Sequence, residues 1–481
     1  MARFSRMKRL TALLKGGTSL MLMVSTPAEG VPGVTPPPIC QPRLFMRYLI
    51  LSIPFGILLC HGTPISAAPV DITDTVTQYG ITWTFDKARP VGKYATGDWW
   101  VVGPVTIKSV TPIPEKGRNG AVINPKAGDR QGYDDRLAGF DAGMGSSFPL
   151  EFKPGQSLVS TESLADPHDI PPDCIYPPNP LKEYALRTAA VLTCVDHAPP
   201  EDSFRPAYVG TWRETFRVAQ LRRNLLPNLE PPAGLPDVAK LERALERIWL
   251  DHRTGFQSNY FHPLANMPDY GREITNIVSE TGLVLMLRDQ DQKRETLLLR
   301  FIQKGIDNYG VVQSNPKIWT ADGGHDSGRK LPILFAGVLL NHEGMMHVKA
   351  SFAEDEQTYH GNGFNGQKAL WTINPSNINA RHEEADPADW KTFGKGANNG
   401  TKAEGYRRLN GPTWVGQALV ARLIGAVGMW DHPPYFDYVD RWCSEEKEKA
   451  ANPFVRAMWE KYRARADEIA AESRQSSSPA Q

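Results

Sequence analysis

The hydrophobic period of this chain changes once, at the proline-rich segment Leu225–Pro236, so neither an all-helical nor an all-β fold can hold both sides. Upstream, from Thr73 to about Tyr208, short β-type runs are broken by Gly, Pro, Asn and Asp. Gly80–Phe85 alternates, Trp99–Val102 and Val105–Val110 are rich in aromatic and β-branched residues, and Tyr184–Val195 reads as a longer strand. Arg118, Asn119 and Gly120 give a turn signal, and Asp166–Pro180 is too dense in proline for anything but loop.

Downstream the pattern becomes helical. Ile274, Ile277, Val278, Thr281, Leu285 and Arg288 share one face of a helix starting near Arg272, and Leu297, Leu298, Phe301, Ile302 and Ile306 line another. Leu331–Leu340 is apolar on every side, which predicts a helix buried all round with Pro332 tolerated in its first turn. A further long helix should carry Trp414, Ala418, Leu419, Ile424, Val427 and Trp430, entered from a loop at Gly405–Thr413 and capped by Asn410 or Thr413. A charged amphipathic helix is expected over Pro453–Glu472. At 481 residues the chain is long for one domain. The expected fold class is therefore multidomain α+β. A β-sandwich-like module over 69–224 and a linker over 225–236 precede a helical body over 237–473, built as an incomplete (α/α) toroid or barrel, and a disordered tail covers 474–481.

The first 68 residues form an extension and a signal peptide. Met46 and Arg47, the apolar run Tyr48–Cys60 and the small residues Ser66, Ala67 and Ala68 give the charged, hydrophobic and cleavage parts of a secretory signal at about 46–68. Translation is expected to begin at Met46, and the bulky Leu59 speaks against lipidation of Cys60. The run is short for a bilayer span, so the mature chain is expected to be secreted or periplasmic with no stable membrane insertion. Cleavage leaves Cys174, Cys194 and Cys443; the first two could form a disulfide in an oxidising compartment, with Cys443 odd and buried. A net charge of +1 from 54 basic and 53 acidic residues gives no reason to expect a nucleic-acid partner.

Chemistry concentrates in the segment Trp319–Lys330, where glycines flank His325 just ahead of the apolar helix. Arg329 and Lys330 at the start of that helix oppose its dipole, and an anionic ligand would explain them. The other reading is a polar turn in which His325 caps backbone and Arg329 makes a structural ion pair. His325, His342, His347, His360 and His382 crowd one stretch of a chain with 11 histidines, which raises a metal site as a rival. The five-residue spacing of His342 and His347 does not put both on one helical face, so no catalytic metal or other cofactor is expected, although surface carboxylates would allow a structural Ca²⁺.

Three further segments carry candidates. Tyr406 stands beside Arg407 and Arg408, whose charges would lower its phenol pKa and suit proton transfer. Tyr260, Asn266, Tyr270 and Arg272 combine aromatic platforms with amide and guanidinium donors at the mouth of a helix. His360, Arg381 and His382 lie in loops rich in Gly and Asn. Such groups suit β-elimination from a uronic-acid polymer. The proton alpha to the sugar carboxylate is only weakly acidic, so Asn, Arg or His donors must neutralise the carboxylate as charge develops. A His or Tyr base then takes the proton, and an acid, usually Tyr, protonates the leaving glycosidic oxygen. His325, Tyr406, Asn266 and Arg381 would fill these roles, with Arg329, Lys330, Tyr260, Tyr270, Arg272, His360, His382 and Arg407 binding an anionic polysaccharide.

Asp98–Val105, Phe204–Gly210, the loop around His325 and Trp430–Trp442 resemble secreted bacterial proteins related to polysaccharide lyase family 38. That resemblance covers roughly Ile72–Tyr462 and implies an (α/α) barrel lyase on glucuronan or alginate that uses Asn, His, Arg and Tyr. It matches His325 and Tyr406 to the family histidine and tyrosine, and Asn266 and Arg381 less closely. Two rivals stand beside it. A glycoside hydrolase would use paired carboxylates from Glu354/Asp355/Glu356, Asp322/Asp326 or Glu383/Glu384. A non-catalytic glycan-binding protein would use the aromatic residues of the β module.

Overall fold

The structure is a computed structural model describing residues 70–168, 170–172, 174–175, 184–254, 261–288, 292–447 and 450–475. The signal segment and the start at Met46 lie outside the described residues, as does Tyr260. The chain divides into two compact units between Thr63 and Pro64, and everything described belongs to the second.

Eight strands form one sheet: β1 (Asp71–Gln78), β2 (Ile81–Lys93), β3 (Trp99–Val102), β4 (Val105–Thr111), β5 (Ala121–Ile123), β6 (Leu150–Phe152), β7 (Ser157–Ser163) and β8 (Leu186–Val195). Their order is β5-β7-β8-β3-β2-β4-β6, with β1 paired to β2, and β3–β8 is parallel where the other pairings are antiparallel. The expected two-layer sandwich is thus replaced by a single curled sheet, a half-barrel. The long β2 explains the curl. It pairs with β4 through Thr82–Phe85 and with β3 through Val91–Lys93, and register shifts at Thr73/Thr75 and Thr84/Phe85 add local twist.

Alternation along β8 gives the sheet two buried faces. Ala190, Leu192 and Cys194 join Ile81, Trp83 and Ile107 inside the curl, while Ala189 and Val191 face a second core shared with the helices. This division also accounts for the cysteines. Cys194 lies inside the curl with Sγ 3.5 Å from the Phe152 carbonyl, and burial pushes its thiol up to about 12. Cys174 packs instead with Leu164, Tyr184 and Leu264, so the anticipated disulfide is not formed.

The helices are α1 (Val238–Leu245), α2 (Gly271–Val284), α3 (Gln292–Ser314), α4 (Lys330–Leu340), α5 (Glu343–Met346), α6 (Ala353–Gln357), α7 (Gly400–Leu423), α8 (Val427–Trp430), α9 (Pro433–Glu445), α10 (Pro453–Tyr462) and α11 (Ala466–Gln475). A hairpin of β9 (Thr358–His360) and β10 (Ala369–Trp371) sits among them. Every residue of α4 is buried, as its all-round apolar pattern requires. Residues 225–236 are stitched down: Leu225 and Leu229 are buried, and Leu229 N donates to Met286 O at 2.9 Å.

Helix α7 departs from expectation. It begins at Gly400, capped by Asn399, and runs through Pro412, so Tyr406 and Asn410 are helical rather than in an entry loop. Packing overrides the proline signal there. Gly411 lets α7 approach Trp442 so closely that a Cβ would fall 2.5 Å from the ring, and the Pro412 carbonyl accepts from Ala451 N at 2.9 Å. The tail helix splits into α10 and α11 at a 3₁₀ turn, Arg463–Arg465, and continues to Gln475.

Contacts fix the helix directions that matter for the site. Ser279 and Gly282 of α2 lie against Gly416 and Val420 of α7, while Thr275 near the start of α2 meets Ser327 and Gly328 just before α4. Phe301, Gly305 and Asn308 of α3 meet Phe335, Pro332 and Arg329 in reverse order. Helices α2 and α7 therefore run parallel and α3 runs antiparallel to α4. The starts of α2 and α4 and the first half of α7 gather at one end.

Two buried histidines near that end should make the fold acid-sensitive. Burial, with help from the Arg253 charge, lowers His252 from its ordinary 6.5 to about 3, and burial lowers His262 to about 4. Below about pH 6.5 the unfolded chain takes up protons that the folded chain refuses, so stability present above that pH is lost as it falls toward 4 and 3. Each pKa unit is worth about 1.4 kcal/mol. Urea unfolding should show a steep loss between neutral pH and about pH 4. The loss should be shallower in His252→Phe, whose ring suits the same neighbours, Tyr133, Tyr208 and Phe261. An unchanged slope in that variant would remove His252 from the account.

Candidate functional site

The loop between α3 and α4 carries His325, and its backbone is tied down along its length. Ala321 N donates to Glu356 Oε2 at 2.7 Å, and Gly328 N donates to Glu354 Oε1 at 2.6 Å. The Gly323 carbonyl accepts from Gln357 Nε2 at 2.7 Å and from Asn410 Nδ2 at 2.9 Å. Ser327 Oγ lies 2.8 Å from Thr275 Oγ1 and accepts from Trp414 Nε1 at 3.2 Å. Gly323 and Gly328 have φ of +60° and +93°, and Gly271 lets the loop settle on α2: a Cβ there would stand 2.4 Å from the carbonyl oxygens of Gly324 and His325. So many satisfied polar groups make a stiff mount.

Three rings lie on this mount. His325 is 7% exposed, and its imidazole packs edge-on against Tyr270 with ring centroids 4.6 Å apart. The Tyr406 ring covers Gly323, and the Tyr270 hydroxyl lies over Gly324, each within 3 Å of where a Cβ would be. Both tyrosines are half-buried. Burial first, then the neighbouring Tyr406, Glu273 and Asp322, push the Tyr270 phenol well above its ordinary range, so it stays a proton donor. Arg272, also half-buried, brings a positive charge beside Tyr270 while donating to Glu273 at 2.7 Å.

Several expected ligand contacts belong to the scaffold instead. Arg329 is 1% exposed, takes both oxygens of Asp251 at 3.0 Å, and donates to the carbonyls of His325 and Ser327. Lys330 is buried with Nζ 2.5 Å from Asp355 and 2.6 Å from the Trp430 carbonyl. The basic pair at the head of α4 thus has internal acceptors and needs no anion. Asn266 is fully buried and spends its amide nitrogen on the Ala244 and Arg247 carbonyls at the end of α1. Arg381 stacks over Tyr359 and faces Glu384 at 3.9 Å, and His382 is enclosed by Trp371 and Trp390 with Nε2 on Glu404 at 3.1 Å.

Arg407 is buried against Trp442 and bound to Glu404 and Glu446, at 2.6 Å and 2.5 Å for the shorter contacts. Arg408 shares those two acids, so neither arginine is turned toward the Tyr406 phenol. Burial alone would raise Glu404, but hydrogen bonds from His382 and Arg407 and their charges hold it down at about 2. His360 is an exposed partner of Asp437 at 2.8 Å.

The carboxylate pairs fare similarly. Asp326 is 2% exposed, and desolvation raises its carboxyl well above the usual range. Glu354 is fully buried on Gly328 N and Gln417, and Glu383 is held by Trp371 N and Arg441, each at 2.5 Å. The histidines of the crowded stretch disperse: His342 faces Glu214, His347 faces Glu343, and among the described residues no three His, Cys, Asp or Glu gather as a metal set. Also among the described residues, no helix is long and apolar enough to cross a membrane.

The residues that sequence reasoning passed over are Asp251, Thr275, Gln357 and the structural role of Asn410. None sits in a motif, and only Asn410 had a local signal, which pointed to a helix cap. No protein-family model, curated protein or solved structure matches the chain.

Proposed function

We propose that this protein is an exported polysaccharide lyase that cleaves a uronic-acid polymer of the glucuronan or alginate type by β-elimination. The observation that carries the reading is the edge contact of His325 with Tyr270 beside Tyr406, whose ring covers Gly323 of the same rigid loop. In this reading His325 takes the C5 proton, the C4–O bond breaks, and Tyr406 delivers a proton to the leaving oxygen, leaving an unsaturated sugar. With Asn266 and Arg381 engaged elsewhere, the carboxylate would be met by Arg272 and by the first N–H groups of α2, which no side chain caps. The parallel α2 and α7, with α3 antiparallel to α4, support reading the helical body as an incomplete (α/α) toroid.

The test is to incubate the purified chain with glucuronan, alginate, pectate and glycosaminoglycans while following ultraviolet absorbance of the unsaturated uronate. Growth of that band is the expected result. New reducing ends without it would replace the lyase with a hydrolase, and binding without turnover would leave a glycan-binding protein.

A further inference from the structure

We propose that Asp251 is a positioning residue for the His325 site, and that the curled sheet holds it in place through a buried relay of alternating charges; the kinetic part of this rests on the lyase reading. Asp251 receives Arg329 through both carboxylate oxygens at 3.0 Å and Lys304 Nζ at 3.3 Å. Arg329 turns its Nη1 hydrogens onto the His325 and Ser327 carbonyls, at 2.8 Å and 2.7 Å. The guanidinium therefore fixes the direction of the peptide that carries the imidazole.

The relay continues away from the loop. Lys304 lies 4.1 Å over the Trp249 ring, and one turn further along α3 Asp307 takes both terminal nitrogens of Arg205, at 2.9 Å and 2.7 Å. Arg205 Nε then donates to Asp98 at 3.0 Å, at the head of β3, where Gln78 of β1 and Thr96 also donate to that carboxylate. Asp98, Arg205, Asp307, Lys304, Asp251 and Arg329 are each no more than 6% exposed, and their charges cancel.

Apolar side chains of similar volume can often replace such a network without loss of stability. What they cannot do is hold a backbone carbonyl in a set direction. That distinction assigns the relay to the geometry of the site and gives the sheet a role there, as a buttress of the loop rather than an appended binding module.

The test compares Asp251→Asn with the double variant Asp251→Asn/Arg329→Gln, which leaves no lone charge on that pair. Histidine-labelled protein gives the readout, with the His325 signals identified by their loss in His325→Ala. In folded variants the His325 signals should move or broaden while those of the surface residues His347 and His360 stay in place. Turnover should fall by about 10²-fold with KM little changed. Unmoved His325 signals would overturn the proposal, and so would loss of fold in both variants, since the pair would then be structural. If the unaltered chain turns over no uronate polymer, the lyase reading fails while the His325 spectrum still decides the positioning.

Discussion

His325→Ala should lose nearly all turnover on the uronate polymer while its melting transition stays close to that of the unaltered chain. The two effects separate because the loop is held by its backbone and by Arg329, Glu354, Gln357 and Asn410. Removing the ring gives up its edge contact with Tyr270 and leaves every one of those bonds in place. General-base catalysis is worth about 10²–10⁴-fold, so the rate should fall by that much. Tyr406→Phe should behave alike, because phenylalanine keeps the ring over Gly323 and loses only the hydroxyl. Initial rates from the unsaturated-product band, with circular-dichroism melting of each variant, measure both. A full rate in either variant would remove that residue from the mechanism.

Much of this arrangement was legible along the chain, and the parts that were not share a cause. The change of period at Leu225–Pro236 separates strands from helices, and the apolar run at Leu331–Leu340 marks the buried α4. Glycines around His325 point to the loop that the structure places between Tyr270 and Tyr406. Arg329, Lys330 and Arg407 illustrate where local reading stops. Arg329 and Lys330 find their acidic partners far off in sequence, at Asp251 and Asp355, and Arg407 adds the distant Glu446 to its near neighbour Glu404. Composition cannot distinguish a cation awaiting a ligand from one satisfied by a distant carboxylate. The same limit hides Asp251, which has no neighbouring motif and matters only through Arg329. The loop expected at Gly405–Thr413 is helix instead, because tertiary packing of Gly411 on Trp442 holds α7 there.

Arg205→Met should be among the most destabilising single changes in the chain, by about 3–5 kcal/mol at neutral pH. The guanidinium is 1% exposed and serves Asp98 and Asp307 together, so its removal leaves two carboxylates buried with no cation of their own. Burial already raises the Asp307 carboxyl, and Arg205 is the largest force holding it down. Without Arg205 its folded pKa rises further above the unfolded value. The stability tied to that proton is then fully present in acid and is lost as pH rises through the folded pKa. The deficit against the unaltered chain should therefore be smaller near pH 5 than near pH 8, the reverse of the trend set by His252 and His262. Denaturant melts of both chains at the two pH values would show it. Equal stability at pH 8 would mean that Asp98 and Asp307 find other donors, and the relay would lose its link between β3 and α3.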